Sequence, residues 1–235
     1  MTSLPFNLVQ DANPGDVLES LESYGVARLP GFLDLEDVQT LDAEFDALFA
    51  SELAARAAVR YYRPNTDSRA LELRRAQLDP NRFPTLARLF AADLVSDVTH
   101  DYLGDAADVI NGIYLTHDLP HPTPVTGLHF DRIHALKFYV YLRATVAANG
   151  AFACIPGSHR EGRARRLAHL SNGVRVRDIP IIQPDERLAE SVSLEGGPGT
   201  MLIFDTDVLH AGGVVGAGSE RRIVRGHSHA ADVAR

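Results

Sequence analysis

Residues 127–142, GLHFDRIHALKFYVYL, open with a histidine and an aspartate two positions apart and run on into β-branched and aromatic side chains. A run of that composition reads as a strand. Side chains alternate along a strand, so His129 and Asp131 face one side and Phe130 the other. That spacing lets both ligate one ion. A lone His-x-Asp decides little, because roughly one is expected by chance in such a chain, and His159-Arg-Glu161 is a competing pair.

Working outward, short Val/Ile/Tyr/Phe-rich runs alternate with Gly, Pro and Asn breaks from about residue 107 onward. Strands are expected near 107–116, 126–131, 136–143, 151–155, 174–182, 190–194, 200–204, 207–210 and 221–229. The gaps between them are too short and polar for the crossover helices of a parallel sheet. The expected class is therefore mainly β: a jelly roll, or double-stranded β-helix, of the cupin-like kind.

Before this core the periodicity is helical. A short helix within 15–31 precedes a strand at Val26 to Leu29. FLDLEDVQTLDAEFDALFASEL (32–53) carries apolar residues at Val38, Leu41, Phe45, Leu48 and Phe49, with Asp34 as N-cap. RYYRPNTDSRALELRR (60–75) reads as an exposed loop, and FPTLARLFAADLVSDVTHDYLG (83–104) as helix closed by Gly104. One domain is expected over 1–235, with 1–105 mostly helical and packed on a core at 106–230.

The chain has 235 residues and a net charge of −8, which argues against nucleic acid or an anionic membrane as partner. A lone cysteine, Cys154, rules out a disulfide framework and a Cys-rich zinc site. Any metal must use His and carboxylate. No basic leader or membrane-length apolar run is apparent, so the expected location is cytoplasmic.

A second constellation joins the first in GGPGTMLIFDTDVLHAGGVVGAGSERRIVRGH (196–227), where His210 follows an apolar strand and Arg221 comes eleven residues later. Two histidines and one carboxylate form the facial triad suited to non-haem Fe(II), leaving positions open for a co-substrate and O2. A guanidinium pairs bidentately with a carboxylate, so Arg221 suits the far end of a dicarboxylate whose other end chelates the metal.

These stretches resemble the phytanoyl-CoA dioxygenase family of Fe(II)/2-oxoglutarate oxygenases over roughly residues 20–230. HFD (129–131), NGAFACIPGSH (149–159), TMLIFDTDVLHAGG (200–213) and the His-x10-Arg spacing to Arg221 carry the resemblance. It implies iron ligands His129, Asp131 and His210, with Arg221 gripping the 5-carboxylate of 2-oxoglutarate. It is closest in kind to short bacterial members that tailor natural products, sugar-containing ones among them. The implied reaction is hydroxylation or oxidative cyclisation of a small polar molecule. Two alternatives remain: a cupin-type metalloenzyme independent of 2-oxoglutarate, and a non-catalytic ligand-binding barrel.

The chain departs from the family at Gly212, where a serine often helps bind 2-oxoglutarate. Lys137, heading a strand just after the motif, is a substitute; Thr116, a hydroxyl in an apolar run, is another. Asp131 excludes the halide-binding variant of the site. Alternation places Arg221, Ile223, Arg225 and His227 on one face of their strand and Arg222, Val224 and Gly226 on the other. Arg225 and His227 are thus substrate-side candidates, joined by His134 at the mouth and by Tyr62 and Arg63, beside Tyr61, on a lid-like loop. Asp205 and Asp207 are expected in turns, and His159 in a structural turn. Arg163, Arg165 and Arg166 form the one basic cluster a CoA ester would call on.

Overall fold

Asn13 starts the described chain by accepting the Gly15 N–H at 2.9 Å, which caps helix α1 (Pro14–Tyr24). The computed structural model describes residues 13–56, 58–60, 68–124 and 127–231. Strand β1 (Val26–Leu29) leaves α1 through Gly25, whose φ of 73° suits glycine. Asp34 caps α2 (Leu35–Phe49), which buries Val38, Leu41, Phe45 and Leu48 as its periodicity anticipates. Then come α3 (Glu52–Arg56), β2 (Ala58–Arg60), β3 (Arg69–Arg74), α4 (Pro84–Leu89) and α5 (Asp93–Leu103). The buried Glu44 carboxylate of α2 accepts the Thr85 and Leu86 N–H groups at 2.9 and 2.8 Å, tying α4 to α2 by its N-terminus.

The remaining strands are β4 (Asp108–Asp118), β5 (Ala135–Tyr141), β6 (Ala153–Cys154), β7 (Val192–Ser193), β8 (Met201–Asp205), β9 (His210–Ala211) and β10 (Arg221–His229), with α6 (His159–Ser171) between β6 and β7. A seven-stranded sheet runs β1-β8-β5-β10-β4-β3-β2 and a three-stranded one β7-β6-β9. Every pairing is antiparallel.

Alternation divides the large sheet into two faces. Ile113, Leu115, Leu136, Phe138, Val140 and Val224 pack under the helices against Leu21, Phe45 and Val95. Tyr139, Tyr141, Leu202, Phe204 and Ile223 turn the other way, toward Phe152, Cys154 and Leu194 of the small sheet. Each such side chain contributes roughly 1.5–3 kcal/mol by leaving water. This is the mainly β jelly roll with N-terminal helices that the sequence leads one to expect, and the gap between its sheets holds the site. Among the described residues no helix is long and apolar enough to cross a membrane.

Several local expectations need correction. Residues 69–74, taken as loop, form β3, because Leu71 and Leu73 are buried on alternate positions and the arginines around them mask that pattern. Residues 127–131 make only isolated bridges at His129, and 176–178 form a 3-10 turn where a strand was expected. The 83–104 segment breaks into two helices. α6 was not anticipated: its sequence, HREGRARRLAHLS, lacks an apolar stripe because its buried face is built from His159, Gly162 and Arg166.

Candidate active site

His129 and His210 lie opposite each other in an antiparallel bridge, each N–H donating to the other's carbonyl at 2.9 and 2.7 Å. Their Nδ1 atoms lie 2.9 Å from the Gly127 carbonyl and 2.7 Å from that of Val208. A carbonyl only accepts, so each ring carries its proton on Nδ1 and keeps an Nε2 lone pair for the interior. Asp131 Oδ1 is 3.6 Å from His129 Nε2 and 3.9 Å from His210 Nε2. One ion with bonds of about 2.1 Å spans such separations. Phe130 points away into a cluster with Leu128, Ile179 and Leu209, which fixes the alternation.

The electrostatics suit ligation. Burial and the neighbouring His129 push His210 down to about 3, so it is a neutral imidazole. Burial opposes ionisation of Asp131, but the Lys137 ammonium outweighs it and holds the carboxyl well below its usual range. Lys137 Nζ sits 2.5 Å from Asp131 Oδ2. Phe152 and Phe204 rings flank His210 at 5.5 and 5.2 Å, forming an apolar wall.

Arg221 is buried and pairs in register with Asp118. Its Nε and Nη2 donate to Asp118 Oδ2 at 3.0 and 2.8 Å, and Nη1 donates to the Gly150 carbonyl. A guanidinium has five N–H groups, so Nη1 and Nη2 each retain one for a carboxylate. A Cβ at Gly212 would stand 3.5 Å from Arg221 Nη2, the place a family serine would occupy. Thr116 lies on the inner face of β4, two residues before Asp118, and is buried. Arg222 faces the helices, pairing with Asp42 and Asp46 and lying over the Phe45 ring at 4.4 Å.

Arg225 and His227 share the inner face with Arg221. Arg225 Nη1 donates to Tyr139 Oη at 3.1 Å, with its guanidinium over both Tyr114 and Tyr139. His227 stacks on Tyr114 at 4.2 Å, lies across from Lys137, and has a buried Nε2 without a hydrogen-bond partner. Tyr61, Tyr62 and Arg63 lie outside the described residues. Sequence reasoning missed Asp118, Tyr114 and Tyr139; alternation from Thr116 points to the first two.

His134 does not join this group. It contacts Asp207 Oδ2 at 3.0 Å and Asp205 Oδ1 at 3.4 Å, forming a second His/Asp cluster. Asp205 and Asp207 are fully buried and end β8 and enter the following turn. Their oxygens already accept from Tyr102 Oη, the Asp207 N–H, Arg163 and Arg166. With two guanidinium charges in place, this cluster does not suit a cation; the first, with two free Nε2 lone pairs, does. Arg163 and Arg166 are thereby occupied, and Arg165 bonds Gln183 and Glu161. His159 opens α6 instead of sitting in a turn and packs on Gly25, where an added Cβ would come within 2.8 Å of its own Cβ.

The profile of the family described as phytanoyl-CoA dioxygenase (PhyH) matches residues 21–223. No curated protein sequence matches the chain. Among solved structures, EctD from S. alaskensis with 2-oxoglutarate and 5-hydroxyectoine is 19% identical, covering 98% of this chain and 80% of that one, with a TM-score of 0.67. The non-heme alpha ketoglutarate dependent carbocyclase SnoK from nogalamycin biosynthesis is 17% identical over 91% of this chain and 82% of that one, TM-score 0.67. AviO1 from Streptomyces viridochromogenes Tue57 is 16% identical over 94% and 96%, TM-score 0.63. At these identities the likeness is one of fold.

Proposed function

The chain belongs to the phytanoyl-CoA dioxygenase (PhyH) family and is an Fe(II)- and 2-oxoglutarate-dependent dioxygenase; from that premise we propose that His129, Asp131 and His210 hold the iron and Arg221 the 2-oxoglutarate. The observation that carries this is the convergence of two Nδ1-protonated imidazoles on one ionised carboxylate within 4.8 Å. When bound, iron with 2-oxoglutarate and O2 supplies an oxidation strong enough to take hydrogen from an unactivated C–H bond, with succinate and CO2 as co-products.

The chain's own residues bind and orient. His129 and His210 would give Nε2 lone pairs and Asp131 a carboxylate to the iron. Arg221, aligned by Asp118 and the Gly150 carbonyl, offers its remaining N–H groups to the distal carboxylate. With Asp131 engaged by a metal, Lys137 would hold a buried charge that a co-substrate carboxylate could answer. Thr116 adds a hydroxyl on the same face. Arg225 and His227, braced by Tyr114 and Tyr139, meet the substrate, while Phe152 and Phe204 keep water from His210.

The substrate in this reading is a small, polar, hydroxylated molecule, tailored by hydroxylation or oxidative cyclisation in a cytoplasmic natural-product pathway. Support comes from the fold shared with SnoK and from the polar inner face. An acyl-CoA is disfavoured because Arg163, Arg165 and Arg166 are already paired.

The test is succinate formation from 2-oxoglutarate with Fe(II), O2 and a panel of hydroxylated cyclic molecules and acyl-CoA esters. Substrate-stimulated succinate with the former supports the reading. Stimulation by acyl-CoA alone overturns the substrate class, and turnover that survives Arg221→Ala without 2-oxoglutarate would favour the cupin-type enzyme.

A further inference from the structure

Asp131 lies on a segment, 130–134, that belongs to no strand, and the last bridge before it is at His129. Its backbone is nevertheless fixed by one residue. Thr206, fully buried, accepts the Asp131 N–H on its carbonyl at 2.8 Å and gives its own N–H to the Ala135 carbonyl at 3.0 Å. Its hydroxyl donates to the Ile133 carbonyl and accepts the Ala135 N–H, both at 2.8 Å. The flanking Asp205 and Asp207 take His134 of the same loop as an ion-pair partner. α6 seals this contact with Arg163 and Arg166, approaching so closely that a Cβ at Gly162 would come within 1.9 Å of the Asp207 carbonyl oxygen. The clasping segment, 205–207, leads directly into His210.

We propose that Thr206 and His134 are positioning residues: the 205–207 segment clasps the 131–135 loop so that Asp131 already faces His210 before any metal arrives. The inference rests on the reading of His129, Asp131 and His210 as ligands. Residues that orient ligands from behind typically change metal affinity by roughly 10–100-fold when altered.

The test uses the whole chain as wild type, Thr206→Val, Thr206→Ser and His134→Gln, with anaerobic Fe(II) affinity and the visible band of the Fe(II)–2-oxoglutarate complex as readouts. The expected result is roughly 10–100-fold weaker Fe(II) binding and a displaced band in Thr206→Val and in His134→Gln, with wild-type affinity and band kept in Thr206→Ser, which retains the hydroxyl. Wild-type affinity and an unmoved band in the two altered proteins overturn the proposal. Hydrogen exchange of the metal-free wild type needs no variant to fold: the Asp131 and Ala135 amides should be protected before Fe(II) is added. Free exchange of both, with protection only after Fe(II), also overturns it. If wild type binds no Fe(II), the ligand reading itself fails, and hydrogen exchange still reports whether the clasp exists.

Discussion

Lys137 Nζ stands 2.5 Å from Asp131 Oδ2, so a lysine occupies one flank of the carboxylate assigned to iron. Both side chains are largely buried, and a carboxylate at that depth needs a cation. In this structure Lys137 supplies the charge; under the proposed ligand set a bound ion would take over that duty and leave the lysine available to 2-oxoglutarate.

Lys137→Met should therefore destabilise the metal-free protein by about 1–3 kcal/mol, since it leaves Asp131 unpaired. Fe(II) should restore most of that loss, so the rise in unfolding temperature on adding Fe(II) is larger in the variant than in wild type. Affinity for 2-oxoglutarate should fall about 10-fold, as expected for a lost charge-assisted bond. Thermal unfolding with and without Fe(II), and calorimetric titration of 2-oxoglutarate, check these outcomes.

Arg221→Ala removes the proposed co-substrate contact and also strands the buried Asp118 carboxylate. The expected stability loss is about 3–5 kcal/mol. Adding Asp118→Asn should recover much of it while 2-oxoglutarate binding stays weak, which separates the structural part of Arg221 from its binding part. Denaturant unfolding and 2-oxoglutarate titration of the single and double variants give the answer.

Gly212→Ser restores a hydroxyl where the family often has one. The new Cβ would meet Arg221 Nη2 at 3.5 Å, an ordinary contact, so the fold should tolerate it. The expected change is under about 0.5 kcal/mol in stability, with 2-oxoglutarate bound at least as tightly as in wild type. Weaker binding would mean that Lys137 and Thr116 already fill the space the serine hydroxyl needs.

That His129, Asp131 and His210 come together was legible from the His-x-Asp spacing, although Asp131 lies just past the last bridge and not in a strand; the opposite faces of Arg221 and Arg222 follow from the alternation of β10. The α2 periodicity and its Asp34 cap were legible for the same local reason. What the sequence hid was stabilised by ionic contacts rather than by apolar pattern. α6 buries Arg166 against Asp207, a partner far along the chain, so no stripe announces it. β3 alternates Leu71 and Leu73 among arginines that make it read as loop. His134, assigned to the mouth, instead pairs with Asp205 and Asp207, which were read as mere turn residues.

His134 makes the stability depend on alkaline pH. Burial alone would lower its value, but Asp205 and Asp207 outweigh this and raise it to about 9, with Arg163, Arg166 and Tyr102 also facing the cluster. Its folded value lies above the unfolded value of about 6.5. The stabilisation is therefore complete below about pH 6.5 and lost as pH rises through about 9, on the order of 3 kcal/mol in all. Asp207 behaves oppositely: burial opposes the shift, but His134 and Arg166 hold it at about 2, so its contribution is present above about pH 4 and lost as pH falls through about 2. Unfolding temperature followed from pH 6 to 10 should decline in wild type and flatten in His134→Gln.

The most direct test of the central claim is an anaerobic titration of the metal-free protein with Fe(II) and then 2-oxoglutarate, following the weak visible charge-transfer band of their chelate. The expected result is that the band grows to one equivalent in wild type and is absent in folded His210→Ala. Iron bound by wild type with no band on adding 2-oxoglutarate, or an undiminished band in His210→Ala, would contradict it.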